Sequence, residues 1–94
     1  MIPSKRDDNE AELVALWRQI GAVVIPMGRE AGFDLIVAHR GEVYIVEIKD
    51  IKAGHKKYYL TDAERSVCAA LGAVDVVYSI VTNRQEALEL IGVQ

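Results

Sequence analysis

The chain has 94 residues, of which 51% are hydrophobic, so it has the length and apolar content of one small domain. Its 14 acidic and 11 basic residues give a net charge of −3, unlike most nucleic-acid-binding domains, which are basic. No run of 18 apolar residues is present, so we expect no membrane span. The one cysteine, Cys68, excludes an intrachain disulfide, and with a charged N-terminus lacking an apolar signal core it predicts a cytoplasmic protein.

The first third of the chain predicts a helix and then a strand. One of residues 7–9 (Asp, Asp, Asn) can cap a helix that runs to about Ile20, with Gly21 after its last turn. Residues 22–27 are predicted as a first strand, and a loop follows over residues 28–32. Apolar residues recur in the helix at helical spacing and should face the core: Leu13, Leu16, Trp17 and Ile20.

The centre of the chain predicts a β-hairpin. Residues 33–39 and 43–49 have the character of strands, and residues 39–42 form the turn between them. A loop centred within this turn pairs residues whose numbers sum to 81, which places Asp34 opposite Glu47. Both faces of the hairpin are otherwise largely apolar, which predicts a sheet covered on both faces.

The last third predicts a helix, a strand and a final helix. Thr61 and Glu64 have the T-x-x-E spacing of a capping box, which opens a helix that ends near Gly72 and accounts for Glu64 without a catalytic role. Residues 74–81 are predicted as an apolar fourth strand. The predicted fold is a single α/β domain over residues 1–94, with the order αβββαβα and a mixed central sheet flanked by helices.

Three charged residues lie on the otherwise apolar hairpin: Asp34, Glu47 and Lys49. Directly opposed strand residues have Cβ atoms about 4.5–5.5 Å apart, so Asp34 and Glu47 repel each other unless a cation lies between them. Lys49 is two residues beyond Glu47 and projects from the same face. Taken singly, Asp34 has an alternative role as a turn or cap residue. Glu47 and Lys49 likewise have an alternative role as an exposed ion pair. Together they predict a site for a divalent metal such as Mg²⁺, which prefers carboxylate oxygens.

The D…E-x-K arrangement of Asp34, Glu47 and Lys49 resembles the PD-(D/E)xK nuclease superfamily, although a Phe stands where the usual Pro precedes the Asp. Residues 9–13, N-E-A-E-L, are similar to the E-x-E-L opening of the first helix in archaeal-type Holliday junction resolvases. Residues 60–64, L-T-D-A-E, are similar to the L-[ST]-x-x-Q segment of VRR-NUC domains, with Glu in place of the usual Gln. The predicted element order also matches the restriction-endonuclease-like core of that superfamily.

The resemblance implies a Mg²⁺-dependent DNA endonuclease, for which Mn²⁺ can substitute. It implies that Asp34, Glu47 and the carbonyl of Ile48 bind the metal. Lys49 then orients the nucleophilic water or stabilises charge on the phosphate. Glu10 matches the helix glutamate that belongs to the active site of the resolvases.

Basic residues beside the predicted site are candidates for binding DNA: Arg29, Lys52, Lys56 and Lys57. A solvated loop rich in lysine is the alternative explanation for the last three. The small size and the resemblance imply a homodimer that cuts two strands of branched DNA such as a Holliday junction. Two other functions stay open, namely a nicking, flap- or end-directed nuclease, and a catalytically inactive nuclease-like module that binds DNA or assembles.

Overall fold

The computed structural model describes residues 9–51 and 58–93, and its elements follow the predicted order. A short 3-10 turn, Arg29–Ala31, lies between the first two strands. The other elements are α1 Glu10–Ile20, β1 Val23–Pro26, β2 Leu35–His39, β3 Glu42–Ile48, α2 Asp62–Gly72, β4 Tyr78–Val81 and α3 Arg84–Leu90. The predicted α/β class is confirmed. Within the described ranges, no helix is both long and apolar enough to cross a membrane.

The four strands form one mixed sheet in the order β1-β2-β3-β4. The pairs β1–β2 and β2–β3 are antiparallel, and β3–β4 is parallel. The hairpin has the predicted register, since Leu35 pairs with Val46. A two-residue turn sets this register: Arg40 has φ 51° and Gly41 has φ 82°, and the tightest hairpin turns need positive φ at both positions.

The core lies on one face of the sheet, beneath α1 and α3. Trp17 of α1 is fully buried, and its indole N–H donates to the Ala87 carbonyl at 3.0 Å, which joins the two helices. Three of the four predicted core residues of α1 are buried, and Ile20 packs partly buried against them. The buried apolar residues are Leu13, Leu16, Trp17, Ala22, Val24, Leu35, Val37, Val46, Ile48, Val81, Ala87 and Ile91.

The helix α2 lies on the opposite face. Gly32, in the loop before β2, approaches it so closely that a Cβ on this residue would lie 2.5 Å from Cγ2 of Val67. Within α2 no residue is fully buried, and Cys68 is only half-buried. The expectation of a sheet covered on both faces is therefore met on one face and only in part on the other.

The fourth strand is shorter than the sequence predicts. Residues 74–81 form one apolar run, but β4 begins at Tyr78. Val74 and Val77 are 68% and 74% exposed, and Asp75 has φ 65°, which interrupts an extended backbone. The run therefore begins as an exposed turn and becomes a strand only where it pairs with β3. Smaller differences affect the hairpin, where β2 begins two residues later and β3 one residue earlier than predicted.

Candidate active site

The three charged residues of the hairpin lie together at one end of the sheet, on the face opposite the core. Asp34 directly precedes β2, Glu47 is the second-last residue of β3, and Lys49 directly follows β3. The hairpin register continues to Asp34, whose backbone N–H donates to the Val46 carbonyl at 3.0 Å. The opposition of Asp34 and Glu47 that the sequence predicts follows from this register.

Asp34 is held by the backbone of the facing strand. Its Oδ2 accepts a hydrogen bond from the Ile48 N–H at 2.8 Å. The Ile48 side chain belongs to the core on the other face and is fully buried. Because the N–H and C=O of one strand residue point to the same side, the Ile48 carbonyl is directed toward the side of β3 on which Asp34 lies.

Glu47 is almost completely buried, with 2% of its surface exposed. The Nζ of Lys49 lies 3.4 Å from its Oε2, and the Tyr78 hydroxyl lies 3.4 Å from its Oε1. Burial, a hydrogen bond to Glu64 and the charge of Asp34 raise the pKa of Glu47 from 4.5 to about 9, against the smaller opposing effect of Lys49. Glu47 therefore holds a proton at neutral pH unless further positive charge approaches it.

Lys49 is held by a second carboxylate, which comes from α2. Its Nζ lies 2.9 Å from Oε1 of Glu64, and the same oxygen accepts the Thr61 backbone N–H at 2.8 Å within the predicted capping box. Burial of Lys49 disfavours its charged form, but the hydrogen bond to Glu64 and the charge of Glu47 together raise the pKa of Lys49. Burial also disfavours the charged form of Glu64, but the hydrogen bonds that Glu64 accepts from Thr61 and Lys49 outweigh this effect and lower its pKa. One oxygen atom thus joins the start of α2 to the lysine of the site.

Sequence reasoning does not assign Glu64 or Tyr78 to this cluster. The capping box explains Glu64 locally, and its likeness to the L-[ST]-x-x-Q segment is the one signal that points to it. Tyr78 lies in an apolar run, and no sequence signal identifies it. Its hydroxyl donates to the Gly32 carbonyl at 2.6 Å, and burial together with the charge of Glu47 raises its pKa, so that it remains a donor.

Glu10 is the first residue of α1 and is 7% exposed. The preceding Asn9 occupies the N-cap position, as predicted, but its side chain makes no cap hydrogen bond. Its amide donates instead to the carbonyls of Lys49 at 3.4 Å and Thr82 at 3.0 Å. These two bonds bring the first turn of α1, and with it Glu10, to the end of the sheet that carries Lys49.

The predicted DNA-binding residues are described only in part. Arg29 lies in the 3-10 turn and is exposed. Lys52, Lys56 and Lys57 lie outside the described residues, so their assignment stays a prediction.

Asp34 and Glu47 are the two carboxylates of this cluster that the sequence assigns to a metal ion. Within residues 9–51 and 58–93, no group of three or more His, Cys, Asp or Glu side chains is arranged to hold a metal ion. Mg²⁺ needs only one or two protein carboxylates, because it keeps several waters. Glu47 is compatible with this role. Lys49 does not offset the effect of burial on its carboxyl, and a cation close by would favour the ionised carboxylate.

Comparisons with protein-family profiles, with curated proteins and with solved structures find no match for this chain. Function is therefore inferred from the geometry of the site and from the short motifs in the sequence.

Proposed function

We propose that this protein is a Mg²⁺-dependent DNA endonuclease of the cytoplasm that acts as a homodimer on branched DNA such as a four-way junction. The observation that supports it most is the convergence of Asp34, Glu47 and Lys49 at one end of the sheet. Asp34 lies beside the backbone of Ile48, and Lys49 lies 3.4 Å from the buried Glu47. The three residues of the D…E-x-K pattern thus lie at one end of the sheet, although Asp34 is separated from Glu47 and Lys49 along the chain.

Each residue of the cluster has a distinct role in the proposed reaction. Asp34, Glu47 and the carbonyl of Ile48 would hold Mg²⁺, which when bound polarises the phosphate and lowers the pKa of its water. Lys49 keeps its positive charge, because Glu64 raises its pKa, and can stabilise negative charge on the phosphate or orient the nucleophilic water. Glu10 lies at this end of the sheet and, by the resemblance to the resolvases, would contribute its carboxylate to the same site.

A second candidate function is a nuclease-like module that binds DNA or assembles without cutting it. The observation that favours it is the ion pair between Lys49 and Glu64, whose atoms lie 2.9 Å apart. A lysine already paired with a carboxylate has less free charge to offer a phosphate. A nicking, flap- or end-directed nuclease would use the same residues as the first proposal and differ only in its substrate.

A cleavage assay with a panel of substrates distinguishes these functions. The full chain is incubated with duplex, single-stranded, flap and four-way DNA in Mg²⁺ or Mn²⁺, with EDTA as the control. We expect paired cuts in four-way DNA, which Glu47→Gln abolishes and Glu12→Gln, at an exposed carboxylate of α1, leaves unchanged. Cuts confined to flaps, or cuts in only one strand, would favour the nicking, flap- or end-directed nuclease. Binding without cleavage under all conditions would favour the inactive module and contradict the proposal.

A further inference from the structure

Tyr78, the first residue of β4, lies on the sheet face that carries the candidate site. It pairs with Ile45 of β3, and Glu47 is two residues farther along β3, so the side chains of Tyr78 and Glu47 project from the same face as diagonal neighbours. Tyr78 is half-buried, and α2 contacts β4 on this face. The proposed reaction gives this side chain no role, although it contacts one of the two carboxyl groups.

The hydroxyl of Tyr78 contacts two parts of the chain that are far apart in sequence. It donates to the Gly32 carbonyl at 2.6 Å, and it lies 3.4 Å from Oε1 of Glu47. A hydroxyl has a single proton, so the shorter contact identifies Gly32 as the principal acceptor. The hydroxyl oxygen is therefore fixed by the loop before β2, and from that fixed position it lies against the Glu47 carboxyl.

Two groups limit the position of the Glu47 carboxyl, one at each oxygen. The Tyr78 hydroxyl is next to Oε1, and the Nζ of Lys49 lies 3.4 Å from Oε2. Lysine has a long flexible stem, and the Nζ of Lys49 also binds Glu64, whereas a tyrosine side chain has only two rotatable bonds. Tyr78 is therefore the more rigid of the two neighbours of this carboxyl.

The bond from Tyr78 to Gly32 also acts on the segment that leads to Asp34. Gly32 lies two residues before Asp34 and has φ 77°, a conformation that glycine adopts readily. The Asp34 N–H donates to the Val46 carbonyl at 3.0 Å, so Asp34 is attached to β3 while Gly32 is attached to β4. One hydroxyl thus connects the peptide that precedes Asp34 with the carboxyl of Glu47.

We propose that Tyr78 is a positioning residue that sets the arrangement of Asp34 and Glu47 for binding of a divalent cation. The inference rests on the proposed function, because it takes these two carboxylates as the metal ligands. A role confined to the fold would need only the bond to Gly32. The position of the same hydroxyl against Glu47 indicates a role at the metal as well, since carboxylates that bind metals are themselves held by hydrogen bonds from neighbouring groups.

Tyr78 should affect metal affinity rather than the chemical step. Its hydroxyl contacts Glu47 and the loop before Asp34, which are assigned to the cation. Lys49, which is assigned to the phosphate and the water, has its own bond to Glu64 at 2.9 Å. Removing the hydroxyl therefore loosens the groups that hold the cation and leaves the lysine in place. We expect a weaker metal site that supports normal cleavage once enough metal is supplied.

Calorimetry with Mn²⁺ tests this role with two matched controls. Tyr78→Phe removes only the hydroxyl and should raise the Mn²⁺ dissociation constant about tenfold, the lower end of the effect of losing such a partner. Tyr44→Phe removes a hydroxyl on the other face of the sheet, where Tyr44 packs against the core. Gly21→Ala destabilises the chain at the end of α1 away from Glu10. Both controls should bind Mn²⁺ as the wild type does.

The Mn²⁺ dependence of cleavage separates metal binding from chemistry. We expect Tyr78→Phe to need about tenfold more Mn²⁺ for half-maximal cleavage of four-way DNA and to reach the wild-type rate at saturating Mn²⁺. An unchanged dissociation constant in Tyr78→Phe would overturn the positioning role. An equal rise in Gly21→Ala would also overturn it, because the effect would then come from lost stability alone.

A measurement on the wild type does not depend on how a variant folds. With the Cζ carbon of each tyrosine labelled for NMR, addition of Mg²⁺ should shift the Tyr78 signal and leave the Tyr44 signal unchanged. A constant Tyr78 signal, while calorimetry shows bound metal, would overturn the positioning role and leave the nuclease function intact. A wild type that binds neither Mg²⁺ nor Mn²⁺ would instead contradict the proposed function, and the role of Tyr78 would fail with it.

Discussion

The buried carboxyl of Glu47 determines how the metal-free protein should respond to pH. Its pKa is about 9 in the folded protein and 4.5 for a glutamate in the unfolded chain. Between these values the folded chain keeps a proton that the unfolded chain releases. The stability that this carboxyl contributes is therefore complete below about pH 4.5 and is lost as the pH rises toward 9, by about 1.4 kcal/mol per pH unit at most.

Replacing Glu47 by Gln should stabilise the metal-free protein, because an amide cannot ionise. At pH 7 in EDTA we expect the free energy of unfolding to rise by on the order of 2 kcal/mol, as measured by urea denaturation. The gain should be small at pH 5 and larger at pH 9. Glu12→Gln, at an exposed position of α1, serves as the control and should change little. A gain from Glu47→Gln that is the same at all three pH values would contradict the assigned pKa.

At the scale of elements, the start of α2 couples helix stability to the site. Thr61→Ala and Glu64→Ala each remove one half of the capping box, so each should cost about 1 kcal/mol of stability in urea unfolding. Only Glu64→Ala also removes the partner of Lys49, so only this variant should lower the DNA cleavage rate, by roughly tenfold. An equal loss of cleavage in Thr61→Ala would assign the effect to the helix cap rather than to the contact with Lys49.

The contact between α2 and the loop before β2 can be tested with two glycines. Gly32 and Gly21 have φ of 77° and 108°, so alanine at either position should cost about 1–2 kcal/mol in backbone strain. At Gly32 the new Cβ also meets Val67 at 2.5 Å, whereas nothing lies within 4 Å at Gly21. We therefore expect Gly32→Ala to lower the free energy of unfolding by about 1–3 kcal/mol more than Gly21→Ala. Equal costs would mean that α2 does not pack on this loop.

The elements that sequence predicts correctly are those fixed by neighbouring residues. The Arg40–Gly41 turn sets the hairpin register, and with it the opposition of Asp34 and Glu47, because all four belong to one hairpin. The capping box of α2 is equally local. The start of β4 is not predictable in this way, because the turn at Asp75 lies within a largely apolar run and pairing with β3 decides where the strand begins.

The remainder of the site depends on contacts between distant parts of the chain. Glu64 is 15 positions from Lys49, and Tyr78 is 31 positions from Glu47. The first contact requires α2 to lie over the sheet, and the second requires the parallel register of β3 and β4. No turn connects these two strands directly, so the sequence carries no local signal for either contact.

At the scale of the whole molecule, a net charge of −3 means that DNA affinity has to come from locally placed basic residues. Binding of four-way DNA should weaken with salt, with a log–log slope of about −0.9 per phosphate neutralised. Arg29→Ala should make that slope less steep by roughly one, whereas Arg84→Ala, at the start of α3, should leave it unchanged. Gel shifts over a salt series measure both slopes. Salt-independent binding, or equal effects of the two variants, would contradict the predicted DNA surface.

Cleavage of four-way DNA by Lys49→Ala in Mg²⁺ tests the central claim most directly. We predict that this variant binds Mn²⁺ in calorimetry about as tightly as the wild type, because Asp34 and Glu47 are retained. It should cut at least about 100-fold more slowly, because the positive charge beside the reacting phosphate is lost. Cleavage by Lys49→Ala at the wild-type rate would contradict the assignment of this cluster as the active site.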